Sequence, residues 1–336
     1  MRKLRNAAVL LLLAFTAPAQ ASPEAEAVTC KGADMLAELG ASDPTALEKV
    51  RQQAAALENT KALLWKVEKS GIAPSYLFGT MHLSDSRITT LSPAVEDALA
   101  QSKSLALEVG DLSPDALAAA ITTSGADLVY TDGTNLAQKL SKEEFDKVKA
   151  VVTASGMPAE SAGMLKPWLV GTLLAVSDCE RRQVASGTKV LDMQLADKAQ
   201  AAGIPVTGLE TLNQQLAALS SVPENEQIQM LRVSLKNADR TDDLLETMLQ
   251  LYLKRDMGAA MPFQYWLADQ MGVPASAFAS FEKSLLVDRN LRMKTAAAPL
   301  LDKGGAFIAV GALHLPGKTG LVALLREAGY TVTAVE

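Results

Sequence analysis

Two histidines, the only ones in this 336-residue chain, occupy the same short motif. One ends the segment Gly79-Thr-Met-His82 and the other ends Gly311-Ala-Leu-His314, and each segment follows a run of apolar residues. Imidazole is the usual side chain for binding a transition metal or for moving a proton near neutral pH. A glycine three residues before each histidine lets the chain turn tightly at the end of a strand. The repeated pattern therefore predicts that His82 and His314 build one site.

Two glutamates supply carboxylates in comparable positions. Glu108 lies near the end of the strand-like run 105–109, and Glu210 ends the run 204–210. Two imidazoles and one or two carboxylates form a ligand set for zinc, manganese or cobalt in a hydrolytic centre. Such an ion lowers the pKa of bound water, and a glutamate that is not a ligand can accept the proton. We therefore predict a divalent metal held by His82, His314, Glu108 and Glu210, with Glu108 or Glu210 as general base.

Other interpretations of these residues remain open from the sequence. No His-Glu-x-x-His or other closely spaced metal motif is present, so a metal-free acid–base site is also compatible with the spacing. Both histidines could serve a structural role, and the two glutamates could cap neighbouring helices.

The elements that must position these residues alternate between strand and helix patterns. Strands are predicted at 63–67, 76–78, 105–109, 204–210, 306–310 and 331–335, and helices at 44–57, 92 onward, 141–155, 166–177, 192–202, 212–220, 243–254, 281–298 and 320–328. This alternation is typical of an α/β fold, in which functional groups collect beyond the strand ends. We expect a central mixed β-sheet flanked by helices. Two pseudo-repeated strand, Gly-x-x-His, helix and strand units would be separated by a mostly helical middle section.

The amino-terminal segment predicts export. Arg2, Lys3 and Arg5 precede a short apolar run, and Ala19-Gln-Ala21 is a cleavage site of the A-x-A type. The apolar run is far below the ~20 residues that span a bilayer, so it indicates a secretory signal peptide. We predict a signal peptide at 1–21, a helical arm at 22–60 and a main domain at 61–336. The mature protein would be periplasmic or secreted, with no transmembrane segment.

Charge and cysteine content narrow the partners and the compartment. The formal net charge is −6, and removal of three basic residues with the signal peptide would take it to −9. With no basic patch interleaved with aromatic residues, we expect no nucleic-acid partner. Cys30 and Cys179 are the only cysteines, and in an oxidising compartment we predict that they form a disulfide. Two free thiols remain the alternative.

An ordered series of motifs, from about residue 63 to the end of the chain, resembles the TraB/GumN/Tiki family. The motifs are Gly79-Thr-Met-His82-Leu-Ser-Asp85, Leu107-Glu108, Lys166-Pro-Trp168, Gly208-Leu-Glu210-Thr with Gln215, Asp288-Arg-Asn290 with Met293, and Gly311-Ala-Leu-His314-Leu-Pro-Gly317 with Gly320-Leu321 and Gly329-Tyr330. The resemblance implies an α/β fold shared with erythromycin-esterase-like and ChaN-like proteins. Tiki members are metal-dependent proteases, whereas many bacterial GumN-like members have no established substrate.

The resemblance also assigns roles to residues. It implies that His82 and His314 bind metal and that Glu108 and Glu210 act as ligand or general base. Arg289 and Asn290 would form a clamp for an oxyanion or a substrate carboxylate.

These observations predict a secreted or periplasmic metal-dependent hydrolase, a peptidase, that acts on a peptide or small-molecule substrate. The alternatives are a non-catalytic protein that sequesters a peptide, a metal or haem, and a metal-free esterase with a histidine base. Metal content and sensitivity to a chelator distinguish the three. Nothing in the sequence specifies an oligomeric state.

Overall fold

Within the described residues, six strands form one mixed sheet. A computed structural model describes residues 30–111 and 113–336, and the predicted signal peptide therefore lies outside the described residues. The strands are β1 (Leu64–Glu68), β2 (Ser75–Thr80), β3 (Ser104–Val109), β4 (Val206–Glu210), β5 (Ala306–Gly311) and β6 (Thr331–Ala334), in the order β4-β3-β5-β2-β1-β6. Strands β4, β3, β5 and β2 are parallel, while β1 runs antiparallel to both of its neighbours.

Helices cover both faces of this sheet. They are α1 (Met35–Ser42), α2 (Pro44–Ala55), α3 (Ser86–Thr89), α4 (Pro93–Ala100), α5 (Pro114–Leu128), α6 (Lys142–Ala154), α7 (Pro167–Leu174), α8 (Asp178–Ala185), α9 (Leu191–Ala201), α10 (Leu212–Ser220), α11 (Glu224–Lys236), α12 (Thr241–Leu253), α13 (Ala260–Asp269), α14 (Ala279–Glu282), α15 (Asp288–Lys303) and α16 (Leu321–Glu327). The predicted α/β class, with a mixed sheet between helices, is confirmed.

The central strand β5 shows why the sheet is buried on both sides. Its residues from Ala306 to Val310 are all buried, as expected for a strand covered on two faces. Phe307 and Ala309 pack with α9 and α13 on one face. Ile308 and Val310 pack with α15 and α16 on the other. Successive side chains point to opposite faces of a strand, so this near-continuous apolar run fills two cores at once.

Parallel pairing brings the two histidine motifs together. Strands β2 and β5 are neighbours, and their register pairs Gly79 with Val310 and Thr80 with Gly311. The motifs therefore leave the same edge of the sheet side by side. Because Gly79 does not face Gly311, the two copies are offset by one residue, and the predicted pseudo-repeat is not confirmed in detail.

The helical middle section forms a separate apolar cluster. Helices α5, α6, α7, α10 and α11 contribute its buried side chains. Ser141 caps α6 in a capping box, and Thr211 caps α10 in the same way. Each hydroxyl accepts a backbone N–H that has no partner within the helix. Thr211, the cap of α10, directly follows Glu210, and Gln215 of this helix contacts Glu108 of β3.

A disulfide joins the amino-terminal end of the described residues to α8. Cys30 and Cys179 form the predicted disulfide, with a Cα–Cα distance of 5.6 Å and a sequence separation of 149. Cys179 lies in the first turn of α8. No helix in residues 30–111 and 113–336 is long and apolar enough to cross a membrane.

Candidate functional site

His82 follows β2 and is held by a carboxylate from α9. Its Nδ1 lies 2.7 Å from Asp192 Oδ2, and Asp192 Oδ1 accepts a hydrogen bond of 2.8 Å from the Thr80 hydroxyl. A carboxylate only accepts, so His82 Nδ1 carries a proton and Nε2 remains for other contacts. The negative charge of Asp192 raises the pKa of His82 to about 9. Its side chain is 58% exposed, so solvent screens part of this attraction.

His314 has the opposite environment. It ends a short 3₁₀ turn after β5 and is buried. Its Nδ1 lies 2.7 Å from Asn290 Oδ1, while the amide nitrogen of Asn290 donates to the Thr319 carbonyl at 2.8 Å. The second bond orients the amide, so Nδ1 of His314 donates and its Nε2 lone pair faces the other way. Burial lowers the pKa of His314 to about 4.

Glu108 lies between the two rings. Its Oε1 is 3.6 Å from His314 Nε2 and 3.9 Å from His82 Nε2. The same oxygen accepts the N–H of Gly311 at 2.6 Å. Burial opposes ionisation of this carboxyl, but the two imidazoles, Arg289 and the Gly311 N–H outweigh burial and lower its pKa to about 2. Glu108 is therefore ionised at neutral pH.

Gly311 lies at the centre of the cluster. A Cβ at this position would lie 3.1 Å from Glu108 Oε1 and 3.6 Å from His82 Nε2. The missing side chain keeps open the space on which the two rings and the carboxylate converge.

Glu210 is linked to Glu108 through the side chain of Arg289. Its side chain is fully enclosed, its Oε2 accepts from Arg289 Nε at 2.8 Å, and its Oε1 accepts from Arg292 Nε at 3.1 Å. Arg289 also donates to Glu108 Oε2, and so it bridges the two glutamates. Its Nη1 lies 3.3 Å from His314 Nε2. The neighbouring carboxylates outweigh burial and raise the pKa of Arg289 above its ordinary value.

The six residues predicted from sequence thus lie in one connected cluster, in two tiers. His82, His314 and Glu108 face each other, Glu210 and Asn290 stand behind them, and Arg289 extends from Glu210 to Glu108 and to Nε2 of His314. Arg289 and Asn290 are both buried, and their polar atoms contact the protein itself.

Two members of the cluster had no role in the sequence prediction. Gln215, on α10, donates to Glu108 Oε2 at 3.0 Å, and it appeared only as part of the family-like series of motifs. Asp192 was not singled out at all. It is separated from His82 by 110 residues and lies in the first turn of α9, where an acidic residue is common for helix-dipole reasons alone. No local pattern could have identified it.

The central trio approaches, without completing, a metal-binding geometry. Across the described ranges, no set of three or more His, Cys, Asp and Glu side chains is arranged to hold an ion as it stands. Ligand atoms around a tetrahedral ion lie roughly 3.3–3.6 Å apart, because metal–ligand bonds are about 2.0–2.2 Å. The distance of 3.6 Å from Glu108 to His314 meets this range and that of 3.9 Å to His82 slightly exceeds it. Both rings have their second nitrogen fixed by an acceptor, as metal-binding histidines usually do. The donor set therefore has the chemistry of a metal site, and an ion could bind His314 only once Arg289 Nη1 leaves the lone pair of that ring.

Comparison with models of protein families identifies a match. The model of the TraB/PrgY/gumN family covers residues 63–334, which include the sheet from β1 to β6 and every residue of the cluster. Searches of curated proteins and of solved structures give no significant match. The family resemblance seen in the motifs is confirmed.

Proposed function

The chain belongs to the TraB/PrgY/gumN family, and we propose that it is a metal-dependent hydrolase, specifically a peptidase. One observation carries the proposal. A single oxygen, Glu108 Oε1, lies within 4 Å of Nε2 of both histidines, and Nδ1 of each ring is held by an oxygen on the far side. His82, His314 and Glu108 would hold the ion.

A divalent transition metal held there would polarise a peptide carbonyl and lower the pKa of bound water. The exposed ring of His82 leaves this side of the cluster open to solvent. Asp192 fixes the proton of His82 on Nδ1 and keeps Nε2 directed at the centre. Asn290 does the same for His314.

The two glutamates have different environments, and this separates their proposed roles. Glu108 is directed at the histidines and is the better ligand, because it is held ionised. Glu210 has both oxygens occupied by guanidinium groups. In our proposal Glu210 holds Arg289 in place, and Arg289 supplies positive charge beside the reacting centre, where it would stabilise an oxyanion.

The test is metal analysis of protein prepared without a histidine tag, together with peptide hydrolysis before and after chelation. We expect zinc, manganese or cobalt in the wild-type protein and hydrolysis that a chelator abolishes and added metal restores. His82→Ala and His314→Ala should lose both the metal and the hydrolysis. Circular dichroism would show that these variants remain folded, since sheet and helix burial supplies most of the stability.

Glutamine replacements test the different roles proposed for Glu108 and Glu210. Glu108→Gln should lose metal, because a neutral amide is a poorer ligand than a carboxylate. Glu210→Gln should keep metal and lose turnover through a misplaced Arg289. The reverse pattern would make Glu210 the ligand and refute our assignment.

A metal-free hydrolase is the second candidate, and one contact favours it. Arg289 Nη1 lies against the His314 nitrogen that a metal would need, while Asp192 and His82 form a carboxylate–histidine pair like those that activate nucleophiles. This candidate predicts hydrolysis that survives complete removal of metal.

We also propose that the protein works in an exported, oxidising compartment. The disulfide between Cys30 and Cys179 supports this proposal, because such bonds are rare in reducing compartments. Cell fractionation, with amino-terminal sequencing of the mature protein, tests it. A mature chain that begins near residue 22 in the periplasm or the medium is the expected result.

A further inference from the structure

A groove of about 610 Å³ adjoins the candidate site. This volume is within the range of about 300–1,000 Å³ that is typical of small-molecule sites. Its walls come from the end of α2, the start of α13, a π-helical turn at Lys283–Val287 and the segment 313–319 that follows β5. The apolar side chains in these walls include Met257, Met261, Leu286 and Leu313.

The groove and the candidate site share a wall. Asn290 lines the groove, and its Oδ1 is the atom that holds His314 Nδ1. Thr319, whose carbonyl orients the Asn290 amide, also lines the groove, as does Leu313, the residue before His314. A molecule in the groove would therefore touch the residues that position one of the two proposed metal-binding rings.

The backbone between the groove and the site is irregular. The π-helical turn contributes Leu286 and Val287 to the groove, and the first turn of α15 then places Arg289 in the cluster. Single π-helical turns within helices frequently occur at functional sites. Consecutive residues of this helical segment thus face two adjoining spaces.

The side chains that line the groove indicate the class of ligand that it binds. Met257 and Met261 are flexible and polarizable, and methionine surfaces accommodate apolar groups of varied shape. Glu58, Glu282 and Lys318 also line the groove, so hydrogen-bond acceptors and a donor are available to the N–H and C=O groups of a bound peptide. An apolar interior with polar groups of both kinds fits a peptide better than it fits a lipid or a simple anion.

We propose that this groove binds a large apolar side chain of the peptide substrate, such as leucine, methionine or phenylalanine, beside the bond that is cleaved. The inference rests on the proposed peptidase function and names its substrate class. Cleavage of a randomised peptide library, followed by mass spectrometry, tests it. Wild-type protein should select large apolar residues at one position next to the cleaved bond.

A substitution inside the groove should change that selectivity. Met261→Trp would fill part of the volume, and we expect at least a tenfold loss of kcat/KM for peptides with leucine at the selected position, with smaller residues now preferred. Leu291→Trp is the matched control, because Leu291 is 44% exposed on α15 and does not line the groove. It should leave the profile unchanged. Cleavage with no preference for apolar residues would overturn the groove proposal and leave the peptidase function intact.

A binding measurement separates failure of the groove proposal from failure of the proposed function. Methionine methyl groups labelled with ¹³C give NMR signals for Met257 and Met261, which substitution to leucine assigns. We expect acetyl-Ala-Leu-Ala-amide to shift both signals and leave that of Met157, which belongs to the separate helical core, unchanged. Acetyl-Ala-Gly-Ala-amide should shift none of them. These shifts do not require hydrolysis, so they support the groove proposal even if no cleavage is found, and equal responses to the two peptides would overturn it.

Discussion

At the scale of single residues, the two histidines make the same kinds of contact through Nδ1 and Nε2 but differ in burial and charge. Each uses Nδ1 to donate to an oxygen behind it and turns Nε2 toward Glu108. An acceptor behind the ring fixes the tautomer and orientation that metal binding requires. His82 is largely exposed and paired with a full negative charge, whereas His314 is buried against a neutral amide. The same motif therefore produces one ring that holds a proton tightly and one that resists protonation.

Asp192→Asn tests the support behind His82. An asparagine retains the shape but loses the charge that orients the ring, and loss of such a partner typically lowers metal affinity about 10–100-fold. We expect a loss of this size in a metal competition assay, with a parallel loss of hydrolysis. Asp197→Asn on the same helix is the control, because among the described residues Asp197 pairs only with exposed Lys189. Equal effects of the two substitutions would contradict the assignment.

The two imidazoles should titrate far apart in metal-free protein. The pKa of His82 is raised from 6.5 to about 9, mainly by Asp192, and that of His314 is lowered from 6.5 to about 4 by burial. NMR titration of the imidazole signals, assigned with His82→Ala and His314→Ala, measures both directly. Two curves with midpoints near 6.5 would show that neither environment acts as described.

These shifts also fix the direction in which stability depends on pH. The raised pKa of His82 stabilises the metal-free fold below pH 6.5, and that contribution is lost as the pH rises toward 9. The lowered pKa of His314 has the opposite effect, since stability is fully present above pH 6.5 and is lost as the pH falls toward 4. Urea unfolding should therefore show a flatter alkaline side for His82→Ala and a flatter acid side for His314→Ala. The exposure of His82 makes its effect the smaller of the two.

At the scale of elements, the end of β5 gives the sharpest test of the site's geometry. In Gly311→Ala the added Cβ would lie 3.1 Å from Glu108 Oε1, between the two rings. The backbone φ of Gly311 is −51°, so alanine causes no backbone strain, and the close contact with the Glu108 side chain is the local change that it introduces. We expect at least a tenfold loss of metal affinity and of hydrolysis with little change in thermal stability.

Gly125→Ala is the matched control for this substitution. A Cβ at Gly125 meets nothing within 4 Å, and alanine in a helix is favoured over glycine by about 0.5–1 kcal/mol. This variant should keep full activity and gain slightly in stability. If Gly311→Ala also kept full metal affinity and full hydrolysis, the space above Gly311 would not be the reacting centre.

The elements were largely predictable from sequence, and the supporting contacts were not. The apolar run of β5 and the capping box at Ser141 are local patterns, so they predicted a strand and a helix that are confirmed. Glycine and histidine at matching positions predicted that His82 and His314 build one site. The parallel strands β2 and β5 bring the two residues together because they end at the same edge of the sheet. Asp192 depends on how α9 packs against the sheet, a tertiary relation that no local spacing contains.

At the scale of the whole molecule, the disulfide is linked to the candidate site. Cys179 lies in the first turn of α8, and Glu180 beside it accepts the N–H of Ser84 at 2.8 Å. Ser84 lies two residues after His82, so the segment that carries His82 is anchored to the helix that the disulfide fixes. Burial raises the pKa of Glu180, and a neutral carboxyl can still accept this bond. The covalent link of the arm therefore supports the exposed histidine from a distance.

Removal of the disulfide tests its contribution to the stability of the whole protein and its support of the segment that carries His82. The bond closes a segment of 149 residues, for which the chain-entropy model gives up to ~5 kcal/mol of stabilisation, with 2–5 kcal/mol usual for native bonds. Cys30→Ser with Cys179→Ser should lose free energy of unfolding in this range, measured in urea without reductant. We expect hydrolysis to persist at low temperature and to be lost on warming before global unfolding, because the segment after His82 loses its anchor first.

Glu180→Ala, which removes the Ser84 contact and keeps the disulfide, should reproduce the early loss of hydrolysis with a smaller loss of global stability. If hydrolysis and fold disappear together in both variants, the disulfide stabilises the protein as a whole and has no separate effect on His82.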